Sequence, residues 1–273
     1  LGLSNAEIEQ IRQQMGVDKP LIEQYFTTLG GLFTGNLGYS VASGTPVASL
    51  IVEAAPHTLA LAATSIGLAV IVALLTAYVA TLPGAGAVRS AFRTLPSLMV
   101  SLPGFWIAIL LLQVFSFRLG WVNVVQPTPW EGILLPTLTL LVPMAAPLMQ
   151  VLIRSIDEVQ AQPFIQVLRA RGASESRIFW RDALRNALLP TITMAGLLFG
   201  ELIGGAVVTE TVFGRAGLGS LTVNAVSSRD MPVLLGVVLI AATAYVIINL
   251  AVDLLYPVLD VRLRETREKE PTA

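Results

Sequence analysis

The stretch Arg154–Pro190 reads RSIDEVQAQPFIQVLRARGASESRIFWRDALRNALLP and lies between two apolar runs long enough to cross a membrane. It holds six of the seventeen Lys and Arg residues, and its single glycine, Gly172, separates two helix-forming halves. Pro163 can open the first helix, and Phe164 to Arg171 continue it with good helix formers. Gly172 supplies the stop. Ser174 then caps a second helix, with Glu175 favourably placed at its positive N-terminal end. At about 100° per residue, Arg177, Arg181 and Arg185 share one arc with Asp182 and Asn186. Phe179, Trp180, Ala183, Leu184, Ala187 and Leu188 share the other, and only Ile178 falls on the polar side. This pattern predicts an amphipathic helix in the headgroup region with Trp180 at the interface, and Leu189-Pro190 turning the chain into the next span. From the residues alone, a docking element and a charged loop that only sets topology fit equally.

Composition places the rest of the chain in a bilayer. Hydrophobic residues make up 54% and charged residues 13% of the 273 residues, and the mean hydropathy is +0.73. A soluble chain averages about 25% charged. Apolar runs at 57–82, 95–117, 132–153, 189–209 and 233–256 each approach the roughly 20 residues that a spanning helix needs. Because the runs are continuous rather than alternating, they predict helices and not a barrel. There is no cysteine, hence no disulfide or thiolate site, and the net charge of −1 gives no reason to expect nucleic-acid binding.

Basic residues set the orientation. Arg89 and Arg93, the six arginines of the quoted stretch, and Arg262, Arg264, Arg267 and Lys269 in the tail make twelve on one side. Arg12, Lys19, Arg118, Arg215 and Arg229 make five on the other. The quoted loop and the C-terminus are therefore expected in the cytoplasm. Three regions follow: an external segment 1–56, a transmembrane core 57–258 containing the cytoplasmic loop 154–188, and a cytoplasmic tail 259–273. Since the chain opens at Leu1, a further N-terminal span is expected to precede it, with a cleaved signal peptide as the alternative. Ser4 and Glu7 form a capping box for an external helix that Gly16 stops.

Within the spans, Pro96, Pro103, Pro136, Pro143 and Pro147 each remove a backbone donor, so neighbouring groups must satisfy the freed carbonyls. Gly196, Gly200 and Gly204 form two overlapping G-x-x-x-G steps that let another helix approach closely, in this chain or in a partner. Glu201 lies about eleven residues beyond Pro190, roughly 16 Å into the membrane. A carboxyl there either faces a pathway or a subunit interface, or is a neutral group hydrogen-bonded to a neighbouring helix. His57, the only histidine, reads as interfacial rather than as a metal ligand. Asp253 reads as structural. Glu210 and the loop Phe213–Gly219 read as an external connector. No Ser-His-Asp set, phosphate loop or pair of buried carboxylates can be assembled, which disfavours a membrane-embedded enzyme.

Arg169-Ala170-Arg171-Gly172, followed by Trp180-Arg181-Asp182-Ala183-Leu184-Arg185-Asn186-Ala187-Leu188-Leu189-Pro190, resembles the signature loop of ABC-importer permeases of the dipeptide/oligopeptide/nickel branch. The likeness continues through Gly204 to Phe213, Gly217-Leu218-Gly219, Arg229-Asp230-Met231-Pro232 and Asn249 to Tyr256. Upstream, Gly38, Ser40 and Leu102-Pro103-Gly104-Phe105-Trp106 fit as well. Three departures stand out. Gln166-Val167-Leu168 replaces the Glu-Ala-Ala that opens the general motif, Arg171 replaces the commoner Lys, and Asp182 stands where His is frequent.

The resemblance implies an all-α integral membrane protein of the type I ABC-importer permease fold, with five transmembrane helices in this chain and six in the full subunit. It implies a translocation subunit without an ATPase site of its own, ATP and Mg being bound by partner ATPases. The expected partners are a homologous second permease, two ATPase subunits or domains, an external solute-binding protein and the lipid bilayer. The short helix of the loop would be the coupling helix, with Gln166, Arg169, Ala170, Arg171, Gly172, Ser174, Glu175 and Arg177 as the ATPase interface. The alternative, a proton-coupled secondary transporter, rests on Glu201.

Overall fold

The computed structural model describes residues 34–84 and 86–259, with isolated positions between 20 and 31, and side chains as far as Leu255. The capping box at Ser4, the stop at Gly16 and the tail 260–273 lie outside the described residues. From residue 34 on, the described residues form the helices α1 (Val47–Thr81), α2 (Gly86–Val100), α3 (Gly104–Leu111), α4 (Glu131–Gln160), α5 (Pro163–Ala170), α6 (Glu175–Val212), α7 (Leu218–Ser228) and α8 (Met231–Leu259). Among the described residues there is no strand beyond one isolated bridge, Tyr39 to Pro46. Helices α1, α4, α6 and α8 are long and apolar enough to cross a membrane.

The core is α1 against α4 against α6. Helix α1 presents the buried alanines Ala62, Ala69, Ala73, Ala77 and Ala80, while α4 fills the space with Met144, Leu148, Met149, Leu152 and Ile156. Lipid is as apolar as leucine, so it is close packing rather than water exclusion that favours small residues on one helix facing long ones on the next. A hydrogen bond between Thr64 and Thr137 (2.9 Å) links the same two helices.

Three expected boundaries move. The first span begins at Val47, ten residues before the run at 57–82, so Pro56 and His57 lie inside a helix. The run at 95–117 is not one helix. It breaks at Ser101–Pro103 into α2 and α3, the latter continued by a π-helical stretch Leu112–Arg118, and the two arms meet at 101°. Pro103 disfavours helical geometry at Leu102 and itself adopts an extended ψ of 132°, which ends one helix and starts the next. Conversely, the expected turn at Leu189-Pro190 is absent. Helix α6 runs its 38 residues through Pro190 without a break. The proline orphans only the Asn186 carbonyl, and Asn186 is an exposed residue in the first third of α6, where water or headgroups can satisfy it.

At the arginine-rich end, a single guanidinium joins three helices. Arg93 of α2 grips Asp157 of α4 in a fork, Nη1 to Oδ2 at 2.9 Å and Nη2 to Oδ1 at 2.7 Å. Its Nε donates to the Ala80 carbonyl at the end of α1 (2.9 Å), which Arg89 also reaches (3.2 Å). Ala80 lies in the last turn of α1, where carbonyls have no intrahelical donor, so the arginines complete that terminus.

Candidate docking interface

The Arg154–Pro190 stretch folds as a two-sided knob. Pro163 occupies the first turn of α5. Gly172 has φ +82°, and the two bonds after α5, Gly172 N–H to Arg169 carbonyl (2.9 Å) and Ala173 N–H to Leu168 carbonyl (3.1 Å), make a Schellman stop. Ser174 Oγ accepts from the Arg177 N–H (3.3 Å) and starts α6. Arg169 and Glu175 then close the turn with a forked ion pair at 2.8 and 3.0 Å. That bond holds the Arg169 pKa above its ordinary value.

One side of this knob is anchored and the other is free. Ile165, Ile178 and Phe179 are buried in the main core, with Leu168 and Ala173 packed beside them. Phe179 lies edge-on to Tyr78 of α1 at 5.0 Å, and half-exposed Trp180 stacks at 5.7 Å from the same ring. On the free side, Gln166, Arg169, Ala170, Arg171, Gly172, Ser174 and Arg177 are exposed, and Glu175 is half-buried. The eight residues singled out from sequence thus sit together on one surface, stapled by their own ion pair.

Ile178 corrects the angular reading, which placed it on the polar arc. Residues Ile178–Ala183 are π-helical, so each residue turns through less than the α-helical angle and Ile178 rotates onto the buried side. A π-helical turn cannot be read from an α-helical wheel.

The glycine row on α6 divides. A Cβ on Gly196 would meet Val252 at 3.2 Å and one on Gly200 would meet Tyr245 at 3.0 Å, so both receive α8 closely. Gly204 has no neighbour within 4 Å. Beside it, Glu201 is exposed on the face that also shows Leu197 and Val208.

The far end holds a polar centre that sequence reading passed over as a connector. Glu210 is 0% exposed. Its carboxylate accepts from Thr58 Oγ1 (2.6 Å), Gly219 N–H (2.7 Å) and Ser220 N–H (3.2 Å), and Thr58 in turn accepts from Leu218 N–H (2.8 Å). The first N–H groups of α7 are therefore capped by side chains from α6 and α1, with a carboxylate at the positive end of the helix. Gly217 and Gly219 are glycine because any Cβ would occupy the space of that carboxylate, and at Gly219 also that of the Val207 backbone.

Arg215 completes the centre by donating to the carbonyls of Gly132 and His57. Gly132 lies four residues before Pro136, so its carbonyl has lost its helical donor and the arginine replaces it. Burial pushes the Arg215 pKa down, and the charge of Glu210 opposes this. A cavity of about 230 Å³ opens here, lined by His57, Asn123, Glu131, Phe213 and Arg215 among others. The only sequence signals were Pro136 and the Gly-x-Gly after Glu210.

Residues 69–265 match the family described as binding-protein-dependent transport system inner membrane component. The chain belongs to that family. The glutathione transport system permease protein GsiC of Escherichia coli O6:H1 is 37% identical over 257 residues, covering 94% of this chain and 84% of the relative. The protein of the same name from Pectobacterium atrosepticum is 37% identical over 259 residues, with 95% and 85% covered. In fold, the chain is similar to a subunit of the inward-facing MetNI methionine ABC transporter (TM-score 0.65, 18% identity, 79% of this chain and 98% of that one). It is also similar to an amino acid ABC transporter (TM-score 0.59, 15% identity, 76% and 92% covered). The chain is thus a multi-pass inner-membrane permease subunit of an ATP-driven importer, with the type I ABC-importer permease fold. Nothing in these matches supports the proton-coupled alternative built on Glu201.

Proposed function

We propose that this permease subunit pairs with a homologous second permease to form the translocation pathway, and that two ATPases drive it through the knob at Gln166–Arg177. In this reading the arginine-rich loop and the C-terminus are cytoplasmic. Gln166, Arg169, Ala170, Arg171, Gly172, Ser174, Glu175 and Arg177 enter the groove of one ATPase. The partner ATPases hold ATP and Mg, and this chain carries no cofactor of its own. An external solute-binding protein delivers the cargo at the far end. The observation that carries the reading is the two-sided knob: its apolar side is buried in the core that continues into α6, so a push on its exposed side displaces a membrane-crossing helix.

Glu201 lies on the pathway or at the contact with the second permease. A carboxyl at membrane depth is costly against lipid, and the exposed face it shares with Gly204 needs an occupant other than lipid. The cargo is a small peptide-like solute. Glutathione is the first to try, because the relatives that share a third or more of their residues are named for it.

Co-expression with candidate ATPases, a second permease and a binding protein tests this. The four membrane-associated subunits should co-purify, and binding protein loaded with glutathione or triglycine should stimulate ATP hydrolysis several-fold. Gly172→Val, which forces a branched side chain into positive φ, should abolish co-purification or stimulation. Unchanged assembly and stimulation in that variant would sink the assignment of the knob.

A further inference from the structure

From the geometry at the arginine-rich end we infer that Arg93 is a positioning residue for coupling: it makes α2 follow the knob. The inference rests on the knob being the point where force enters. The chain continues from the knob directly into α4 on one side and α6 on the other. Helices α1 and α2 have no covalent path to it except through the loops at their own ends. Their polar connection at this end is the Arg93 guanidinium, all three of whose nitrogens are used. Two grip Asp157, six residues before Pro163 opens α5, and the third holds the last turn of α1.

The geometry suits a rigid link better than a general attraction of charge. A fork fixes orientation as well as distance, whereas a lysine would act as a point charge on a flexible stem. The site is half-exposed, with side-chain exposures of 33% and 37%, so its contribution to folding is small. Packing between α1 and α4 is supplied by the alanine face in any case. The clamp therefore matters for how the helices move together more than for whether they fold. Arg89, which shares the Ala80 carbonyl, holds α2 to α1 even when Arg93 is changed, so the variants should assemble.

The native chain has no cysteine, which allows spin labels at Ser97→Cys on the exposed face of α2 and Glu158→Cys on α4, in the assembled complex with cysteine-free partners. In the unaltered clamp, the Ser97–Glu158 distance should show one narrow distribution both without nucleotide and after trapping with ATP and vanadate. With Arg93→Gln, Asp157→Asn or Arg93→Lys, it should stay narrow without nucleotide and broaden or split after trapping. ATP hydrolysis by these variants should remain within about twofold of the parent, while glutathione or triglycine delivered per ATP falls about tenfold. A single unshifted distribution in Arg93→Gln in both states overturns the inference. So does a loss of hydrolysis in step with a loss of assembled complex, which marks a merely structural contact. A parent complex that neither assembles nor hydrolyses ATP instead overturns the assignment of the knob, a separately readable result.

Discussion

The two ends of the α1–α4 pair are held by opposite kinds of polar contact. At the far end, Glu210 is fully buried and its oxygens are satisfied by donors from α1 and α7, while Arg215 occupies a carbonyl that Pro136 set free. At the arginine-rich end, Arg93–Asp157 and Arg169–Glu175 are partly exposed ion pairs with water in reach. Buried groups are expensive to leave unpaired, so the far end is cemented. Partly exposed pairs contribute little to folding, so the other end sets how the helices are oriented more than whether they fold.

Four changes break or sharpen the contrast. The largest effect is expected for Glu210→Ala, which strands two N–H groups of α7 and the Thr58 hydroxyl, at about 1–3 kcal/mol for each unsatisfied buried group. The apparent Tm of the purified subunit in detergent should fall by many degrees, with Glu210→Gln intermediate. An unchanged Tm for the alanine variant would remove the centre's structural role. Gly219→Ala comes next. Its methyl would meet the Val207 Cα at 2.5 Å and the Glu210 carboxylate at 2.8 Å, an overpacking worth roughly 1–3 kcal/mol. The same melting experiment reads it, and Gly204→Ala, with open space around it, is the control that should leave Tm in place.

Asp230 is third. It caps α8 and accepts from Ser40 Oγ (2.5 Å) and the Ala42 N–H (3.2 Å), tying the segment before α1 to the start of the last helix. Burial opposes its charge, but Ser40 and the N–H groups of Ala42, Val41 and Val233 more than offset this and hold its carboxyl below the usual Asp range. A depressed folded pKa means that the stabilisation is fully present above the unfolded value of about 3.9 and is lost as pH falls through the lower folded value. Melting followed from pH 7 to pH 3 should lose more stability in the parent than in Asp230→Asn, by about 1 kcal/mol at most over that range. Parallel pH curves would exclude the carboxylate as the cause.

The smallest stability effect belongs to Glu175→Gln. An exposed pair contributes about 0–1 kcal/mol, and raised salt should erase even that. Tm should barely move, while ATPase co-purification weakens because the Arg169 side of the knob loses its staple. A large drop in Tm would mean that the two ends are not different after all.

Much of the local structure was legible from residues. Gly172 as a stop and Ser174 as a cap follow from positive φ and from a hydroxyl facing free N–H groups, both of which act within a few positions. The starts of α4 and α8 followed from apolar length, whereas α4 runs on to Gln160, seven residues past the apolar run. Other features needed partners far away in sequence. Thr58 and Glu210 are 152 residues apart, Arg93 and Asp157 64, and Arg215 and Gly132 83. Pro136 announced that a carbonyl would be free, yet not which donor would find it. Pro190 carried the same signal and had no such consequence, because its orphaned carbonyl belongs to the exposed Asn186.

By itself, then, the sequence determined a helical membrane protein with an arginine-rich knob between two spans, since hydropathy, capping and loop charge are local properties. Only the tertiary structure decided that Ile178 is buried, that Gly200 receives Tyr245, that Glu210 caps a helix it does not belong to and that one arginine binds three helices. Each of these depends on which helix faces which, and in a bilayer that choice is made by side-chain fit and by finding partners for most buried polar groups.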